Sequence, residues 1–366
     1  MQASDVVVVG AGLVGSALAW GLARQNQNVT ILDEGDNAFR ASRGNFGLVW
    51  VQGKGYGLAD YARWSLKSAT QWPELSEALS IQTGINVALQ QQGGLSLALS
   101  DDDLQSKIDM LQWISDQVGG RYKFDVLDQA ELKKLVPSVG PTIPGATYTA
   151  MDGHVNPLKL LLALHKGMQA SSVKLHSRCA VTKIEQKNGL FVCHTARGEF
   201  AGKKIVLAAG LANKDLAPQV GINAPVVPNR GQVLITERMP PVLHLPTNYV
   251  RQTDEGTVQL GDSLEDVGYN DCTSTEVLEN IAQRAIRCFP SLANARLVRS
   301  WAALRVMSPD GFPIYDESES MPGAFLVTCH SGVTLAANHA FTLAPWIASG
   351  NRPEEIKEFS AERFSK

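Results

Sequence analysis

The sequence predicts an α/β fold in which a Rossmann-like dinucleotide-binding domain is interleaved with an α+β domain built on an antiparallel sheet. Three observations support this prediction. Residues 6–33 have the pattern of a strand, a glycine turn, a helix and a second strand. Another apolar strand, Lys203–Gly210 (KKIVLAAG), follows far along the chain and ends in glycine. The segments in between do not alternate as βαβ units, which indicates an antiparallel insertion.

The first unit has the residues that a dinucleotide turn requires. Val6–Val9 is a β-branched run, typical of a parallel strand buried on both faces. Gly10, Gly12 and Gly15 follow it directly as G-x-G-x-x-G. Gly10 allows the tight turn, Gly12 lets the backbone approach a pyrophosphate, and Gly15 lets the helix pack on the strand.

Further cofactor contacts are predicted at both ends of this unit. Leu13 and Val14 lie at the start of the helix, where unpaired N–H groups and the helix dipole favour phosphate. Asp33, about twenty residues on, can accept hydrogen bonds from a ribose hydroxyl, and Glu34 follows it. The complete strand–turn–helix–acid context makes a dinucleotide site the favoured interpretation.

Two other interpretations of this stretch fail on detail. Residues 6–23 carry no charge, which is close to the length of a membrane span, and Ala17–Ala19 is similar to a signal-peptidase site. However, the preceding MQASD contains an acid and no Lys or Arg, and four glycines interrupt the run. We therefore expect no transmembrane segment and a cytoplasmic location.

Composition narrows the chemistry further. The net charge of −3 gives no indication of nucleic acid or an anionic membrane as partner. The five cysteines are dispersed and contain no C-x-x-C, so we expect no metal site in this chain. Buried or incidental thiols in a reducing cytosol are the simplest interpretation.

A loop rich in glycine, serine, asparagine and arginine follows the first unit. Such loops approach ligands closely through backbone and short side chains. A plain surface loop is the alternative, but the apolar exit Leu48–Val51 (LVWV) indicates that the chain turns inward. We expect Ser42 and Arg43 to contact phosphate. The next four residues are expected to let the chain pass beside a flat ring: Gly44, Asn45, Phe46 and Gly47.

Hydrophobic periodicity and turn residues predict the remaining elements. Helices are expected at residues 58–79, 101–118, 128–135, 158–170, 274–289 and about 333–348, with Pro73 either starting a new turn or kinking its helix. A hairpin is expected at 87–99, and strands at 173–177, 180–186, 190–195, 199–200, 226–237, 249–251, 257–262 and 324–329. The predicted dinucleotide domain comprises residues 1–80, 150–216 and 321–366, and the substrate domain 81–149 and 217–320.

Four motifs stand in a characteristic order: GAGLVG with Asp33, Ile205–Gly210 (IVLAAG), Ala302–Gly311 (AALRVMSPDG) and His330–Ala336 (HSGVTLA). Together they resemble the FAD-dependent D-amino-acid oxidase-like family, which includes glycine oxidase, sarcosine oxidase and the catalytic small subunits of bacterial amino-acid dehydrogenases. The resemblance covers essentially the whole chain.

Three shorter segments carry a closer resemblance: SRGNFGLVW at 42–50, DGHVNP at 152–157 and CHSGVTL at 329–335. They are similar to the catalytic β subunits of opine (octopine, nopaline) oxidoreductases. D-hydroxyproline dehydrogenase β subunits and the flavin subunit of hydrogen cyanide synthase are similar too.

The resemblance implies FAD rather than NAD as cofactor. In this family the C-terminal helix directs its N-terminus at the flavin, where it stabilises negative charge on the reduced N1–C2=O region. Val181 matches a position whose backbone meets adenine, although such strands are also common core elements. The residues implied at the later motifs are Ala209, Gly210, Ser331, Gly332, Val333 and Thr334.

Arg305 is the strongest candidate at the substrate end. It is flanked by apolar residues, and a substrate carboxylate is its natural planar partner. The matching arginine of the family's G-L-R-P type motif clamps the carboxylate and lies against the cofactor, but here Ala303 replaces Gly and Val306 replaces Pro. The alternative is an internal salt bridge to Asp310 or Asp316.

Four further residues are candidates by position. Tyr249 and Arg251 lie on a strand that the family places over the flavin, where they could bind a second carboxylate or close the pocket; an exposed strand pair is the alternative. His154 and His330 lie in ligand-side loops by analogy, and a structural role is the alternative for each.

The predicted chemistry is FAD-dependent oxidation of a C–N bond in an amino-acid-like secondary amine with a carboxylate, an opine being favoured. Hydride passes to flavin N5, water hydrolyses the imine, and electrons leave to a larger partner subunit. A second flavin (FMN) or an iron–sulfur cluster is expected on, or shared with, that partner. The alternatives are a D-hydroxyproline or D-amino-acid dehydrogenase, a stand-alone glycine/sarcosine-type oxidase using oxygen, and a non-catalytic nucleotide-binding subunit.

Overall fold

The computed structural model describes residues 3–35 and 40–364, so part of the predicted ligand loop, residues 36–39, lies outside the described residues. The strands are β1 (Ser4–Val9), β2 (Val29–Leu32), β3 (Leu48–Val49), β4 (Gly94–Leu97), β5 (Asp125–Asp128), β6 (Gly145–Thr149), β7 (Gly153–His154), β8 (Lys174–His176), β9 (Val181–Lys187), β10 (Leu190–Thr195), β11 (Gly198–Leu207), β12 (Val227–Arg238), β13 (Val250–Gln252), β14 (Thr257–Leu260), β15 (Leu297–Met307), β16 (Ile314–Glu317) and β17 (Ala324–Thr328).

The helices connect these strands. They are α1 (Leu13–Arg24), α2 (Ala59–Thr83), α3 (Asp101–Gln117), α4 (Gln129–Leu135), α5 (Pro157–Ala170), α6 (Asn213–Leu216), α7 (Thr275–Cys288), α8 (Ala336–Asn338) and α9 (Ala344–Ser349). A π-helical turn, His339–Leu343, joins α8 to α9. Pro73 lies inside α2, which continues through it.

The main sheet confirms the predicted Rossmann-like unit. Its order is β16-β17-β11-β1-β2-β8, and β1 pairs in parallel with both β2 and β11. The strands β9 and β10 extend from β11 as an antiparallel branch. All four residues of β2 and Val6–Val9 of β1 are buried, as expected for strands covered on both faces.

A second, antiparallel sheet supplies the other predicted region. Its order is β13-β14-β12-β15, and α7 packs on one face of it. A smaller sheet, β4-β6-β5, stands beside it. The predicted domain bounds remain a prediction, although β16 pairs with β17 in the main sheet whereas the bound at residue 320 assigns it to the substrate region.

The predicted hairpin at residues 87–99 is wrong. Gly94–Leu97 forms β4, but its partner is β6, about fifty residues later, while Gln90 forms an isolated bridge to His154. The Gly93–Gly94 pair predicts a local turn, and tertiary pairing overrides it. The strand pieces at 199–200 and 203–210 are one strand, β11, which ends at Leu207, and the last helix begins at Ala336 rather than Val333.

Candidate functional site

A cavity of about 720 Å³ runs along the carboxyl ends of the parallel strands. It begins at the turn after β1, passes the turn after β11 and ends at the turn after β17. Ligands of open α/β sheets bind at this edge. The predicted residues that line it are Gly10, Gly12, Leu13, Val14, Asp33, Glu34, Ser42, Arg43, Asn45, Val181, Ala209, Gly210, His330 and Gly332.

The geometry of the first turn matches the predicted role of each glycine. Gly10 has a φ of +102°, and a Cβ there would approach the carbonyl oxygen of Ala208. A Cβ on Gly15 would overlap the carbonyl oxygen of Gly10, so helix and strand pack as closely as backbone allows. Gly12 leaves open the space beside Ser42 at the helix N-terminus. This cradle fits a dinucleotide pyrophosphate.

Asp33 holds the turn as well as facing the cavity. One carboxylate oxygen accepts a hydrogen bond from Ala11 N at 2.7 Å, and the other accepts one from Gly35 N at 2.8 Å. A carboxylate has about four acceptor sites. Asp33 therefore keeps capacity for a ribose hydroxyl, whereas its neighbour Glu34 forms an ion pair with Arg40 at 2.9 Å.

The ligand loop lies between the main sheet and the second sheet, not on an open surface. Ser42 Oγ accepts a hydrogen bond from Leu13 N at 2.9 Å, which ties the loop to the start of α1. The Gly44 carbonyl accepts one from Trp301 Nε1 at 3.1 Å, and the Asn45 carbonyl accepts one from Gln259 Nε2 at 3.4 Å. Both donors belong to the second sheet, so the loop approaches the cavity as predicted.

The turn after β17 is fixed by α2. Thr334 Oγ1 accepts a hydrogen bond from Trp50 N at 3.2 Å, and the Thr334 carbonyl accepts one from Ser68 Oγ at 2.7 Å. Val333 and Thr334 are buried, while Gly332 lines the cavity. Because the helix begins only at Ala336, the predicted N–H donors belong to the turn that precedes it.

Arg305 forms an internal ion pair, but with neither predicted partner. Its Nη2 donates to Asp262 Oδ2 at 2.5 Å, and its Nη1 donates to Asn229 Oδ1 at 3.1 Å. The guanidinium lies over Gly231, where a Cβ would overlap it. Asp262 has 43% of its side chain exposed, so the pair is open to solvent and a substrate carboxylate can compete for the guanidinium.

The two aspartates proposed as alternative partners are engaged elsewhere. Asp310 pairs with Arg363 at 2.7 Å, and Asp316 pairs with Arg352 at 3.3 Å and accepts a hydrogen bond from Ala361 N. Both therefore anchor the C-terminal segment, which the sequence spacing alone does not show.

His330 lines the cavity at the turn after β17, where its side chain is exposed. The surrounding protein, then the charges of Lys54 and Arg305, lower the pKa of His330 below its usual value. Its imidazole is therefore neutral at physiological pH. The neighbours of Arg305 on β15, Leu304 and Val306, line the cavity, and Arg305 itself lies close enough to His330 for its charge to act on the imidazole.

The other three candidates lie beside the segments that contain Phe46 and Asp262. His154 Nε2 contacts Gln90 Oε1 at 2.9 Å, and its Nδ1 lies 3.4 Å from Arg251 Nη1. Arg251 is buried, with its guanidinium 5.9 Å from the centre of the Phe46 ring. The Tyr249 ring faces Arg284 of α7, 4.5 Å from the guanidinium. Roles for these residues remain predictions.

Three residues that contact predicted site residues are not themselves predicted from the sequence. They are Lys54 and Tyr61, which contact Ser331, and Asp262, which contacts Arg305. Lys54 Nζ donates to Ser331 Oγ at 2.5 Å, and Tyr61 OH donates to the same oxygen at 3.0 Å. The signal for Lys54 is its position in Gly53–Gly57 (GKGYG), since a lysine between glycines in an inward-turning loop is held by backbone shape. Asp262 has no such signal, because its partner lies on another strand.

We expect no ionisation of His330 in the pH profile of activity. Because the pKa of His330 is lowered, we expect its ring to stay neutral between about pH 6.5 and 8. Profiles of kcat/KM against pH for the wild type and His330→Gln should have the same shape over this range. A wild-type inflection near pH 6.5 that His330→Gln abolishes would contradict the assignment.

The described ranges, 3–35 and 40–364, contain neither a candidate metal site nor a helix suited to cross a membrane. No group of three or more His, Cys, Asp and Glu there could hold a metal ion. In the same ranges, no helix has the length and apolar character needed to cross a bilayer.

Comparison with known proteins agrees with this geometry. The DAO family of FAD-dependent oxidoreductases matches residues 5–348. An opine oxidase subunit of Agrobacterium tumefaciens is 44% identical over 365 residues, covering 100% of this chain and 98% of its own. The hydrogen cyanide synthase subunit HcnC of Pseudomonas protegens is 29% identical, covering 99% of this chain and 96% of its own.

Solved structures show the same fold. Glycine oxidase from Geobacillus kaustophilus superimposes with a TM-score of 0.93 at 23% identity, covering 99% of each chain. The glycine turn and the later parallel strand thus occur in a chain that matches a family of FAD-dependent oxidoreductases. The chain belongs to the DAO family and is an FAD-dependent oxidoreductase.

Proposed function

We propose that this protein oxidises the C–N bond of an amino-acid-like secondary amine, with an opine such as octopine or nopaline favoured. The observation that carries the proposal is Arg305, whose ion pair with the half-exposed Asp262 is open to solvent and whose charge acts on His330 of the cavity lining. The 44% identity to the opine oxidase subunit of Agrobacterium tumefaciens over the full length supports the choice of substrate class.

Cofactor-binding roles are proposed for the predicted residues of the cradle and the later turns. The pyrophosphate lies against the Gly10–Gly15 turn, a ribose hydroxyl against Asp33, and the isoalloxazine against the turn at Ser331–Thr334. FAD, when bound, supplies the hydride acceptor at N5.

The chain's own residues bind and orient the amine. Arg305 exchanges Asp262 for the substrate carboxylate and fixes the amine carbon in the reactive orientation. The substrate nitrogen gives up its proton to water on binding, which frees its lone pair, and neutral His330 adds no positive charge beside it. Loss of hydride from the neighbouring carbon would then leave a protonated imine, which water hydrolyses to a carbonyl compound and a protonated amine.

Electrons are proposed to leave to a larger partner subunit, which carries or shares an FMN or an iron–sulfur cluster. Two of the similar proteins are named as subunits of larger enzymes, which supports this proposal. The cysteines in the described residues are free thiols, which fits a cytoplasmic enzyme. The alternatives are a D-hydroxyproline or D-amino-acid dehydrogenase and a stand-alone oxidase that uses oxygen.

An anaerobic titration tests the reaction and its substrate class. Octopine or nopaline should bleach the flavin absorbance of the purified FAD-loaded chain. D-amino acids, hydroxyproline and N-methyl amino acids should bleach it less readily. If no amine bleaches the flavin, the proposed reaction is wrong; if D-hydroxyproline bleaches it fastest, the substrate assignment is wrong.

A second measurement tests the electron acceptor. We expect the isolated chain to turn over with an artificial electron acceptor at least ten times faster than with oxygen, because its natural acceptor is proposed to be another subunit. Peroxide formation and artificial-acceptor reduction are measured side by side with the same substrate. Full turnover with oxygen alone would instead establish a self-contained oxidase.

A further inference from the structure

Lys54 is held in place by the backbone of its loop. Gly53 and Gly55 have φ values of +78° and +88°, which other residues rarely adopt. A Cβ on Gly55 would overlap the backbone of Ala62, so the loop lies directly on the first turn of α2. The loop therefore directs one lysine side chain toward the turn after β17.

No carboxylate of the described residues contacts this lysine directly, although the charge of buried Asp152 acts on it from farther away. Within the part of the chain that the structure describes, Lys54 has no acidic partner at ion-pair distance. Its Nζ donates to Ser331 Oγ at 2.5 Å and lies 5.9 Å from the centre of the Tyr61 ring. The lysine is only half-buried, and its ammonium has three N–H donors, so two remain for another acceptor.

A hydrogen-bond chain connects Lys54 to the cavity. Ser331 Oγ accepts from both Lys54 and Tyr61, so its single hydrogen is left for His330 Nδ1 at 3.4 Å. A neutral His330 that accepts at Nδ1 carries its proton on Nε2. Lys54 is thus one bridging residue away from a side chain that lines the cavity.

More positive charge acts on His330 than one substrate carboxylate can neutralise. Lys54 and Arg305 both act on its imidazole, and Arg305 is already the proposed site of one substrate carboxylate. A substrate with a single carboxylate leaves Lys54, among the described side chains, only the more distant Asp152, whose pKa is raised to about 7 by burial, as a negative group. A second carboxylate on the other side of the nitrogen neutralises it.

We propose that Lys54 binds a second substrate carboxylate, so that Lys54 and Arg305 together select secondary amines that carry a carboxylate on each side of the nitrogen. This inference rests on the proposed function and names the chemical class of its substrate: N-(carboxyalkyl) amino acids. Lys54 is then a specificity-determining residue, and its neighbour Ser331 positions it.

The test compares each substrate with an analogue that lacks one carboxylate. Octopine, which is N-(1-carboxyethyl)arginine, is paired with N-ethylarginine, and binding to the FAD-loaded protein is measured anaerobically from the flavin spectrum. Lys54→Met should weaken octopine binding about 10- to 100-fold and leave N-ethylarginine binding unchanged. Lys54→Arg should restore most of the octopine affinity.

A matched control is available on α2. Lys67 also lies over an aromatic ring, 5.5 Å from the centre of Trp64, but it already pairs with Glu355. Lys67→Met should leave both affinities unchanged. FAD content and melting temperature confirm that each variant is folded.

The pH dependence of binding provides an independent measure of the same group. Burial lowers the pKa of Lys54 to about 8, against the opposing influence of Asp152 and Cys329. The other groups that face it are Tyr61, whose pKa is raised, and neutral His330. Octopine affinity should therefore fall as pH rises through about 8, and this fall should be absent in Lys54→Met.

Three outcomes would overturn the inference. Equal weakening of both ligands by Lys54→Met would show that the second carboxylate is not its partner. A shift of the flavin midpoint potential with equal weakening would assign Lys54 to the cofactor instead. Unchanged octopine binding would remove it from the site. If the wild type binds octopine but no amine reduces its flavin, the proposed reaction fails while the carboxylate assignment is still tested by binding.

Discussion

Replacement of Arg305 by methionine should lower kcat/KM for an amino-acid-like amine by about 30- to 3,000-fold. Removing one member of a hydrogen-bonded charge pair costs about 2–5 kcal/mol, and each 1.4 kcal/mol corresponds to a factor of ten. We expect both a higher KM and a lower kcat, because the carboxylate contact binds the substrate and also orients the carbon that gives up hydride. Steady-state kinetics with an artificial electron acceptor measures both.

Asp262→Asn provides the matched control for this arginine. In the substrate-free protein Asp262 holds Arg305 at 2.5 Å, so a substrate carboxylate must displace it. Without the negative charge of Asp262, KM should fall several-fold with kcat nearly unchanged. If Arg305→Met has a wild-type KM, or if Asp262→Asn is as damaging as Arg305→Met, the ion pair is structural and the substrate carboxylate binds elsewhere.

Replacement of Gly15 by alanine should abolish FAD binding. The new Cβ would overlap the carbonyl oxygen of Gly10, and neither backbone segment can move without separating α1 from β1. Overpacking of this kind costs about 3 kcal/mol or more, and it also displaces the turn that faces the pyrophosphate. The ratio of flavin to protein absorbance after purification should fall at least tenfold.

Gly84→Ala separates a general glycine effect from this local one. Gly84 ends α2 with a φ of +71°, and no atom lies within 4 Å of a Cβ built there. The cost is then the left-handed backbone alone, about 1–2 kcal/mol. We expect a lower melting temperature with full FAD content. If Gly15→Ala retains FAD as well as Gly84→Ala does, the close packing of α1 on β1 does not control the cofactor site.

The first βαβ unit could be predicted because its determinants are local. The β-branched run of β1, the three glycines and Asp33 all lie within one contiguous stretch, and each residue constrains the conformation of its neighbours. The predicted positions of α3, α5 and α7 agree with the structure to within about one residue at each end for the same reason.

The elements that differ from prediction depend on partners distant in sequence. Gly93–Gly94 predicts a hairpin, yet β4 pairs with β6 because both belong to a sheet completed by β5. Leu207 ends β11 where the parallel sheet ends, and this edge is set by the neighbouring strands rather than by the KKIVLAAG pattern.

The substrate end shows the same division. Arg305 is identifiable from its apolar flanks, but Asp262 is its partner only because β15 and the end of β14 lie on opposite sides of β12. Lys54 is linked to the site through its hydrogen bond to Ser331, which is 277 residues away in sequence. The contact of the Tyr249 ring with Arg284 of α7 is likewise absent from any local pattern, and its role over the flavin stays a prediction.

By itself, the sequence determined the dinucleotide turn and the α/β fold, because the residues of the first βαβ unit act on their immediate neighbours, and the resemblance of its motifs to a family indicated FAD. Only the tertiary structure decided which charges meet around His330. Ion pairs and hydrogen bonds depend on distances of a few ångströms between segments whose separation along the chain carries no such information. The balance of Arg305, Asp262 and Lys54, and with it the proposed selection of the substrate, is therefore a property of the folded chain.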